Sequence, residues 1–383
     1  MLKFISVRLI QMSLLFLVFL TLLFFLLQAQ PGDFSRQFLD PNIPAENRDL
    51  IAARFGLDQP LWRQYFTYMG NVLQGDLGVS FTRYPRSVTS VITERLPRTF
   101  FLFTFATLLS YYLGFLLGKV LAWRRGGSQE MGITIGGVIL YTVFYPWFAL
   151  VMIWFFAAYL DVVPVNQFLT PLRWRAAPFS ANSVFSTIIW STFLLTAGLA
   201  LSLWGARKPD NLTQQRLIRW GGIGLSLVLF FGFWLPNEQR TFATDIAHHA
   251  LLPIVTLALV AFAGVMLITR GSMLETLKED YILTARAKGL APKTIRDKHA
   301  ARNALLPVTT SFVLGLAFII GGGLITETVF SWPGMGELLL VSVLTQDIPV
   351  AIGTLAMVGA LALIMHIVVD VLYVFLDPRI RYQ

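Results

Sequence analysis

The sequence predicts an all-α integral membrane protein with about eight transmembrane helices. Only 13% of its 383 residues are charged and 56% are hydrophobic, whereas a soluble domain is about a quarter charged. A membrane-spanning helix needs roughly 20 apolar residues, because its backbone polar groups must be satisfied within the segment. Eight apolar stretches qualify, at approximately 9–29, 99–121, 131–160, 184–204, 220–236, 250–269, 304–326 and 350–375.

The first apolar stretch follows Lys3 and Arg8, as the hydrophobic part of a signal peptide would. It is long for a signal peptide, and no convincing small-residue cleavage site precedes Pro31. The sequence therefore favours a retained N-terminal transmembrane helix over 1–30.

An external segment with short helices is predicted over 31–98, before a transmembrane domain over 99–383. Pro60 suits the first position of a helix. After it, apolar residues recur at helical spacing until Gly75: Leu61, Trp62, Tyr65, Phe66, Met69, Val72 and Leu73. Such a stripe usually serves packing, but outside the membrane it is also a candidate lid or docking surface.

The distribution of basic residues predicts the orientation of the chain. With the N-terminus in the cytoplasm and eight crossings, 19 of the 30 Lys and Arg residues lie inside. Most of the others belong to the segment 31–98, and segments of that length translocate largely regardless of charge. We therefore expect a multi-pass protein of the plasma (inner) membrane with both termini in the cytoplasm. Topology also explains the net charge of +9 without a nucleic-acid partner.

No catalytic constellation emerges from the sequence. Cysteine is absent, which excludes disulfides, thiol catalysis and cysteine metal sites, and the four histidines lack metal-ligand spacing. The run from Gly114 to Lys119 (GFLLGK) is one residue short of a phosphate-binding loop and lacks the following Ser or Thr. Close helix packing explains its glycines better. We expect no catalytic residue, metal site or cofactor in this chain.

The predicted spans contain almost no charge, and only His366 and Asp370 fall in the last one. Ion-coupled carriers need ionisable groups at membrane depth, so the sequence favours energy entering through the cytoplasmic loops. A secondary carrier or channel independent of ATP is the alternative. A membrane enzyme is a third class, for which no nucleophile, acid–base pair or metal set can be assembled.

The most informative cytoplasmic loop runs over 271–304. Asp280 is predicted to cap a short helix that begins at Tyr281, and Gly289 to end it in the left-handed conformation. Pro292 is well placed to open a second helix carrying Arg296, Lys298 and Arg302. From composition alone, this charged helix–turn–helix would be a solvated connector.

The segment from Asp280 to Leu290 (DYILTARAKGL), with His299 to Pro307 (HAARNALLP), closely resembles the coupling loop of permeases of the dipeptide/oligopeptide branch of ABC importers. Leu283 and Thr284 stand where the general signature has Glu and Ala. Other stretches agree in order: PGD at 31–33, FGLDQP at 55–60, GDLGVS at 75–80, RLPRT at 95–99, ETVFSWPGMG at 327–336 and DPRIRY at 377–382.

The resemblance implies an ATP-driven importer of peptides or similar solutes working by alternating access. In such systems the loop docks on a separate ATPase subunit. The implied partners are a second homologous permease subunit, two ATPase subunits that bind ATP and Mg, and an external solute-binding protein. The implied coupling residues are Asp280, Tyr281, Thr284, Ala285, Arg286, Ala287, Lys288, Gly289, Arg302 and Asn303. Translocation-path or gate residues would be Gly321, Gly322, Gly323 and Glu327, and external docking residues Gly75, Asp76, Gly78, Pro333 and Gly334.

Three features depart from the family pattern of a six-span core. Residues 184–236 look like an inserted helical hairpin, Gln346 precedes Asp347 where an Arg-Asp pair is common, and His366 stands where Asn is usual. With these departures, the sequence does not decide whether the solute is a peptide, an oligosaccharide, a nickel chelate or a peptide-like antibiotic.

Overall fold

The computed structural model describes residues 2–28, 59–165, 167–206, 211–235, 237–319 and 322–376. Within these ranges the chain is built from α-helices. They are α1 (Leu2–Gln28), α2 (Leu61–Leu73), α3 (Val88–Trp123), α4 (Ser128–Thr142), α5 (Tyr145–Met152), α6 (Pro171–Arg175), α7 (Ala181–Gly205), α8 (Leu212–Trp234), α9 (Arg240–Thr276), α10 (Asp280–Ala287), α11 (Pro292–Thr294), α12 (Ala301–Ile319), α13 (Leu324–Val329), α14 (Met335–Leu344) and α15 (Ile348–Leu376). One π-helical segment, Ile153–Tyr159, follows α5, and another, Ile295–Ala300, joins α11 to α12.

The predicted all-helical membrane fold is confirmed. Among the described residues six helices are long and apolar enough to cross a membrane, namely α1, α3, α7, α8, α9 and α15. A seventh span results if α4 and the helix that follows it count as one. The stretch predicted at 304–326 is not among these spans, and its described helical residues belong to two helices. Its first part is α12, which ends at Ile319, and its last part lies in the short helix α13.

The stretch predicted as one span over 131–160 is broken near its middle. Val143 has extended backbone (φ −63°, ψ 142°), and the chain bends by 106° between Thr142 and Tyr145. Pro146 lies in the first turn of α5, where its missing N–H group leaves no hydrogen bond unmade. In the interior of one continuous helix the same proline would remove a hydrogen bond and clash with the preceding turn.

The chain divides into two units, one formed by Met1–Leu150 with Ile254–Gln383 and the other by Val151–Pro253. In the first unit, α3 and α9 approach closely at two glycines. A Cβ atom at Gly114 would lie 2.7 Å from the carbonyl oxygen of Phe262, and one at Gly118 would lie 2.5 Å from that of Met266. Small residues allow membrane helices to pack at such distances. This geometry confirms the packing interpretation of the run from Gly114 to Lys119.

Ion pairs join helix ends within the first unit. Arg8 Nε near the start of α1 lies 3.3 Å from Asp370 Oδ2 of α15. Arg270 Nε of α9 donates to Glu130 Oε1 in the first turn of α4 at 2.8 Å. These two ion pairs connect neighbouring helices.

The second unit contains the predicted hairpin as α7 and α8. The two helices pack through a reciprocal arrangement of small residues: Gly198 of α7 faces Ser226 of α8, and Gly222 of α8 faces Ser202 of α7. Each serine hydroxyl donates to the carbonyl of the glycine four residues before it in its own helix. Both serines are therefore satisfied without water, as a membrane interior requires.

The buried carboxylate of Asp245 organises the loop before the hairpin. It accepts hydrogen bonds from Thr170 Oγ1 at 2.6 Å, from the Thr170 backbone N–H at 3.1 Å and from Trp174 Nε1 at 2.8 Å. Arg173 lies 3.5 Å from the same carboxylate. These bonds hold α6 against the start of α9.

Candidate functional site

The candidate site on the predicted cytoplasmic side is centred on α10. The helix begins at Asp280, and Glu279 occupies the N-cap position with extended backbone and no side-chain capping bond. The prediction that Asp280 caps a helix beginning at Tyr281 is therefore wrong by one residue. Asp280 lies in the first turn, where a negative charge still complements the helix dipole.

The C-terminal end of α10 follows the prediction. Gly289 has a φ of +71°, and its N–H donates to the carbonyl of Arg286 at 2.9 Å. The N–H of Leu290 donates to the carbonyl of Ala285 at 3.3 Å. These two bonds form a Schellman motif, and glycine adopts the required left-handed conformation without strain. Pro292 is the first residue of α11, as predicted.

One face of α10 is buried on the ends of the candidate spans α3 and α9 and on the start of α12. Ile282 is fully buried, and Ala285 is almost so. Ala285 was expected among the docking residues, but it packs inward and positions the helix instead. The buried cluster consists of Ala122, Met273, Ile282, Ala285, Ile295, Ala300, Ala301 and Ala304.

The opposite face of α10 and its C-terminal turn are exposed. The other residues expected to dock are all exposed: Asp280, Tyr281, Thr284, Arg286, Ala287, Lys288 and Gly289. Leu283 and Leu290 were not among the expected residues, and they are 56% and 38% exposed on the same surface. The sequence feature that could have identified Leu283 is its departure from the family signature, because an apolar side chain stands there in place of a charged one.

Two further expected residues lie on α12, directly after the loop. Asn303 Nδ2 donates to Tyr281 Oη at 2.7 Å, which ties the first turn of α10 to α12. Arg302 is exposed beside it. The structure thus brings Tyr281 and Asn303 into direct contact across the loop.

An ion-paired carboxylate not expected from the sequence anchors the second part of the loop. Arg296 Nε and Nη2 donate to both oxygens of Asp297 at 2.9 and 3.0 Å. Lys119 Nζ at the end of α3 lies 3.1 Å from Asp297 Oδ1. The hydrogen bond from Arg296, followed by that from Lys119, lowers the pKa of Asp297 well below its usual range. Asp297 therefore stays charged and connects the loop to α3.

Among the residues expected at a path or gate, Glu327 is fully buried, so it does not line an open path in this structure. Its Oε2 accepts hydrogen bonds from the backbone N–H groups of Gly336 at 2.6 Å and Glu337 at 3.0 Å, in the first turn of α14. Its Oε1 accepts from Thr99 Oγ1 of α3 at 2.7 Å. Thr99 Oγ1 in turn accepts from the N–H of Met335. The Glu327 side chain thus caps α14 and joins it to α3.

The glycines expected near that gate do not form one surface. Gly322 and Gly323 are half-buried directly before α13, and a Cβ atom at Gly323 would lie 2.6 Å from the Phe103 ring. Gly321 lies outside the described residues.

The residues expected to dock an external protein are divided between a loop and a buried turn. Asp76 Oδ1 accepts from the N–H of Gly78 at 2.9 Å. Asp76 and Gly75 are exposed. Pro333 is half-buried, and Gly334 is buried so closely against the Glu327 carboxylate that a Cβ atom there would overlap it. Of the expected set, Gly75 and Asp76 are fully available at the surface.

Asp347 holds the loop that follows Gly78. Its carboxylate accepts hydrogen bonds from Ser80 Oγ at 2.5 Å, Thr82 Oγ1 at 2.6 Å and the backbone N–H of Phe81 at 3.1 Å. These bonds join the loop after the GDLGVS run to the turn before α15, two stretches that are far apart in the sequence.

No group of three or more His, Cys, Asp or Glu side chains in the described part of the chain could hold a metal ion. The arrangement offers an exposed helical surface supported by membrane helices, which is suited to binding a partner protein.

The chain is similar to known membrane transport proteins. Residues 218–382 match the family model described as the inner membrane component of binding-protein-dependent transport systems, and residues 1–103 match the model of the N-terminal part of such a membrane component. The chain is 32% identical to the di/tripeptide transport system permease DppB of Pseudomonas aeruginosa over the full length of both proteins. It is 32% identical to the oligopeptide transport system permease AppB of Bacillus subtilis over 97% of each chain. Identity to the dipeptide transport system permease DppB of Escherichia coli is 29%, over 89% of this chain and 87% of the relative.

These relatives are all transport permeases, which places the chain in the class of multi-pass membrane transport components. It belongs to the family of binding-protein-dependent transport system inner membrane components.

Proposed function

We propose that this chain is a pore-forming permease subunit of an ATP-driven peptide importer, and that α10 docks on a separate ATPase subunit. The observation that carries the proposal is the geometry of α10. Its inner face is buried against the candidate spans α3 and α9 and against α12 through Ile282 and Ala285, while its outer face and C-terminal turn present Leu283 and Leu290 among charged residues. A partner that moves this helix would therefore act on the membrane domain.

The proposed transport cycle is alternating access, in which ATP binding and hydrolysis by two ATPase subunits change the exposure of the path. A second, homologous permease subunit completes the path, and an external binding protein delivers the solute. In this assignment both termini and the loop 271–304 are cytoplasmic. Nucleotide and Mg²⁺ belong to the partner ATPases.

Peptides are the proposed solute class. Support comes from the relatives, whose names specify di/tripeptides, oligopeptides and dipeptides. Competition for uptake between a labelled peptide and unlabelled peptides of two to five residues, with an oligosaccharide as comparison, tests this assignment.

The experiment that tests docking adds a positive charge to the exposed face of α10, at the position where the family signature has a carboxylate. Leu283→Arg leaves the buried cluster untouched, so the protein should insert and fold normally. The matched control is Ser128→Arg, at an exposed position at the start of α4 on the same predicted side of the membrane. We expect Leu283→Arg to abolish co-purification of the ATPase and peptide uptake, and Ser128→Arg to preserve both. Normal ATPase binding and uptake by Leu283→Arg would refute docking at this surface.

A further inference from the structure

Helix α2 presents one of its sides to the rest of the protein. Met69 is buried, and Tyr65, Tyr68 and Val72 pack with it against Leu20 and Leu23 of α1. Tyr65 Oη also forms a 2.8 Å hydrogen bond with Thr21 Oγ1 of α1. These contacts fix α2 on the C-terminal part of the first membrane helix.

A second side of α2 is polar and exposed. Arg63, Thr67 and Asn71 are spaced four residues apart, so they form one stripe along the helix. Their exposure and composition suit contact with water.

A third stripe lies between these two and is both apolar and exposed. It consists of Trp62, Phe66 and Leu73, which are 64%, 66% and 64% exposed. At 100° per residue these three positions fall within an arc of about 40°, which separates the buried side from Arg63 and its neighbours. A helix in contact only with protein and water would not need this third stripe.

The apolar stripe continues the lipid-facing surface of α1. Leu22, Phe25 and Leu26 of this candidate span are 64%, 56% and 63% exposed. Phe25 stacks on Tyr65 of α2 with ring centroids 6.0 Å apart, and Tyr65 contacts Phe66 at 5.3 Å. An unbroken aromatic surface therefore leads from the end of the span onto the exposed stripe of α2.

We propose that α2 lies in the membrane interface at the C-terminal end of α1, with Trp62, Phe66 and Leu73 inserted among the lipids. Amphipathic helices bind membranes in this way, and Trp is enriched at the boundary between headgroups and acyl chains. Arg63 on the polar stripe would face the headgroups. With the proposed topology, this is the outer leaflet. Residues 61–73 of the external segment are then attached to the membrane surface and do not extend into the aqueous phase.

Single-cysteine spin labelling tests the proposal, because the chain contains no native cysteine. The lipid-facing variants are Trp62→Cys, Phe66→Cys and Leu73→Cys, and the matched controls on the polar stripe are Arg63→Cys, Thr67→Cys and Asn71→Cys. Each is reconstituted in bilayers within the complete complex, with cysteine-free partners. We measure the rates at which each spin label collides with two reagents. Oxygen concentrates in lipid, and a polar nickel chelate stays in water.

We expect the ratio of oxygen to nickel collision rates to be several-fold higher at the three apolar positions than at the three polar ones. Equal access of the nickel chelate to all six positions would overturn the proposal, because the stripe would then lie in water. Shielding of the apolar positions from both reagents would also overturn it, because another protein would then cover them.

A second measurement uses the unmodified chain and so does not depend on the variants. A photoactivatable diazirine phospholipid in the bilayer should form adducts on α2, detected by mass spectrometry. Adducts on Leu22 and Leu26 of α1 with none on α2 would contradict the proposal.

Discussion

The side-chain amide of Asn303 donates a 2.7 Å hydrogen bond to the hydroxyl of Tyr281, 22 residues earlier in the chain. The bond links the two helices of the proposed coupling loop on their exposed side, opposite the buried contact made by Ile282. The first turn of α10 is therefore held to α12 by a polar bond as well as by packing.

Removing this bond should weaken coupling without removing α10. A hydrogen bond of this kind contributes about 0.5–1.5 kcal/mol. We expect Tyr281→Phe and Asn303→Leu each to lower peptide uptake per ATP hydrolysed several-fold, and the double variant to be no worse than the more affected single one. Additive losses in the reconstituted complex would show that the two residues act independently.

Replacing Gly289 should show how much conformational strain a side chain introduces at this left-handed backbone position. No atom lies within 4 Å of a Cβ atom built there, so the strain is conformational and amounts to about 1–2 kcal/mol for an ordinary residue. Asn tolerates this conformation and a β-branched residue does not. Gly289→Val should therefore uncouple ATP hydrolysis from uptake more severely than Gly289→Asn. Equal losses would mean that the docked partner leaves no room for any side chain.

Truncating Glu327 should destabilise the membrane domain. Glu327→Ala leaves the buried N–H groups of Gly336 and Glu337 without their acceptor, which costs about 1–3 kcal/mol for each group. Glu327→Gln retains one acceptor oxygen and should cost less. The control is Glu337→Gln, which neutralises the partner of Arg95 in a mostly buried ion pair but keeps an acceptor oxygen there, and it should cost less than Glu327→Ala. Thermal unfolding of the purified complex measures all three, and an unchanged melting temperature for Glu327→Ala would refute the capping role.

Two adjacent glycines on α8 offer a paired test of the hairpin. A side chain at Gly222 would collide with Ser202 of α7, whereas one at Gly221 would meet no atom within 4 Å. Gly222→Val should therefore separate α7 from α8, while Gly221→Val should be tolerated. Cross-linking by a short bifunctional thiol reagent between cysteines introduced at Ser191 and Trp234, whose side chains are in contact, reports the packing. Loss of cross-linking in both variants would show a general intolerance of β-branched residues.

The orientation of the chain can be tested with fused reporters. A reporter placed after Lys208 or Gly289 should be cytoplasmic, and one placed after Arg83 or Gln239 should be external, because basic residues concentrate on the cytoplasmic side. An external signal at Lys208 would show that 184–236 is not a spanning hairpin that enters and leaves on the outer side.

Features determined by local backbone chemistry could be predicted from the sequence. Gly289 and Pro292 bound the turn of the proposed coupling loop as expected, because few residues other than glycine accept a positive φ and because proline suits a first helical position. The glycines at 114 and 118 were likewise interpreted correctly as packing positions. The apolar stretches located the spans for the same reason, since burial in lipid imposes its own composition.

Features that depend on distant partners could not be predicted. The carboxylate of Asp347 binds Thr82, 265 residues earlier, and nothing local distinguishes that aspartate from an exposed one. Glu327 was assigned to a gate because a motif contains it, but the backbone N–H groups that it caps become available only once α14 forms. The break at Val143 was missed because hydropathy measures composition and does not detect a bend.

The alanines beneath α10 have a mechanical consequence. Five of the eight residues in that cluster, Ala122, Ala285, Ala300, Ala301 and Ala304, have no side-chain torsion that could absorb a displacement. Close-packed contacts of this kind transmit strain and do not dissipate it. A force applied to the outer face of α10 therefore reaches α3, α9 and α12 together. Enlarging any one of these alanines would change how rigidly α10 is connected to these three helices, as well as how closely the side chains pack.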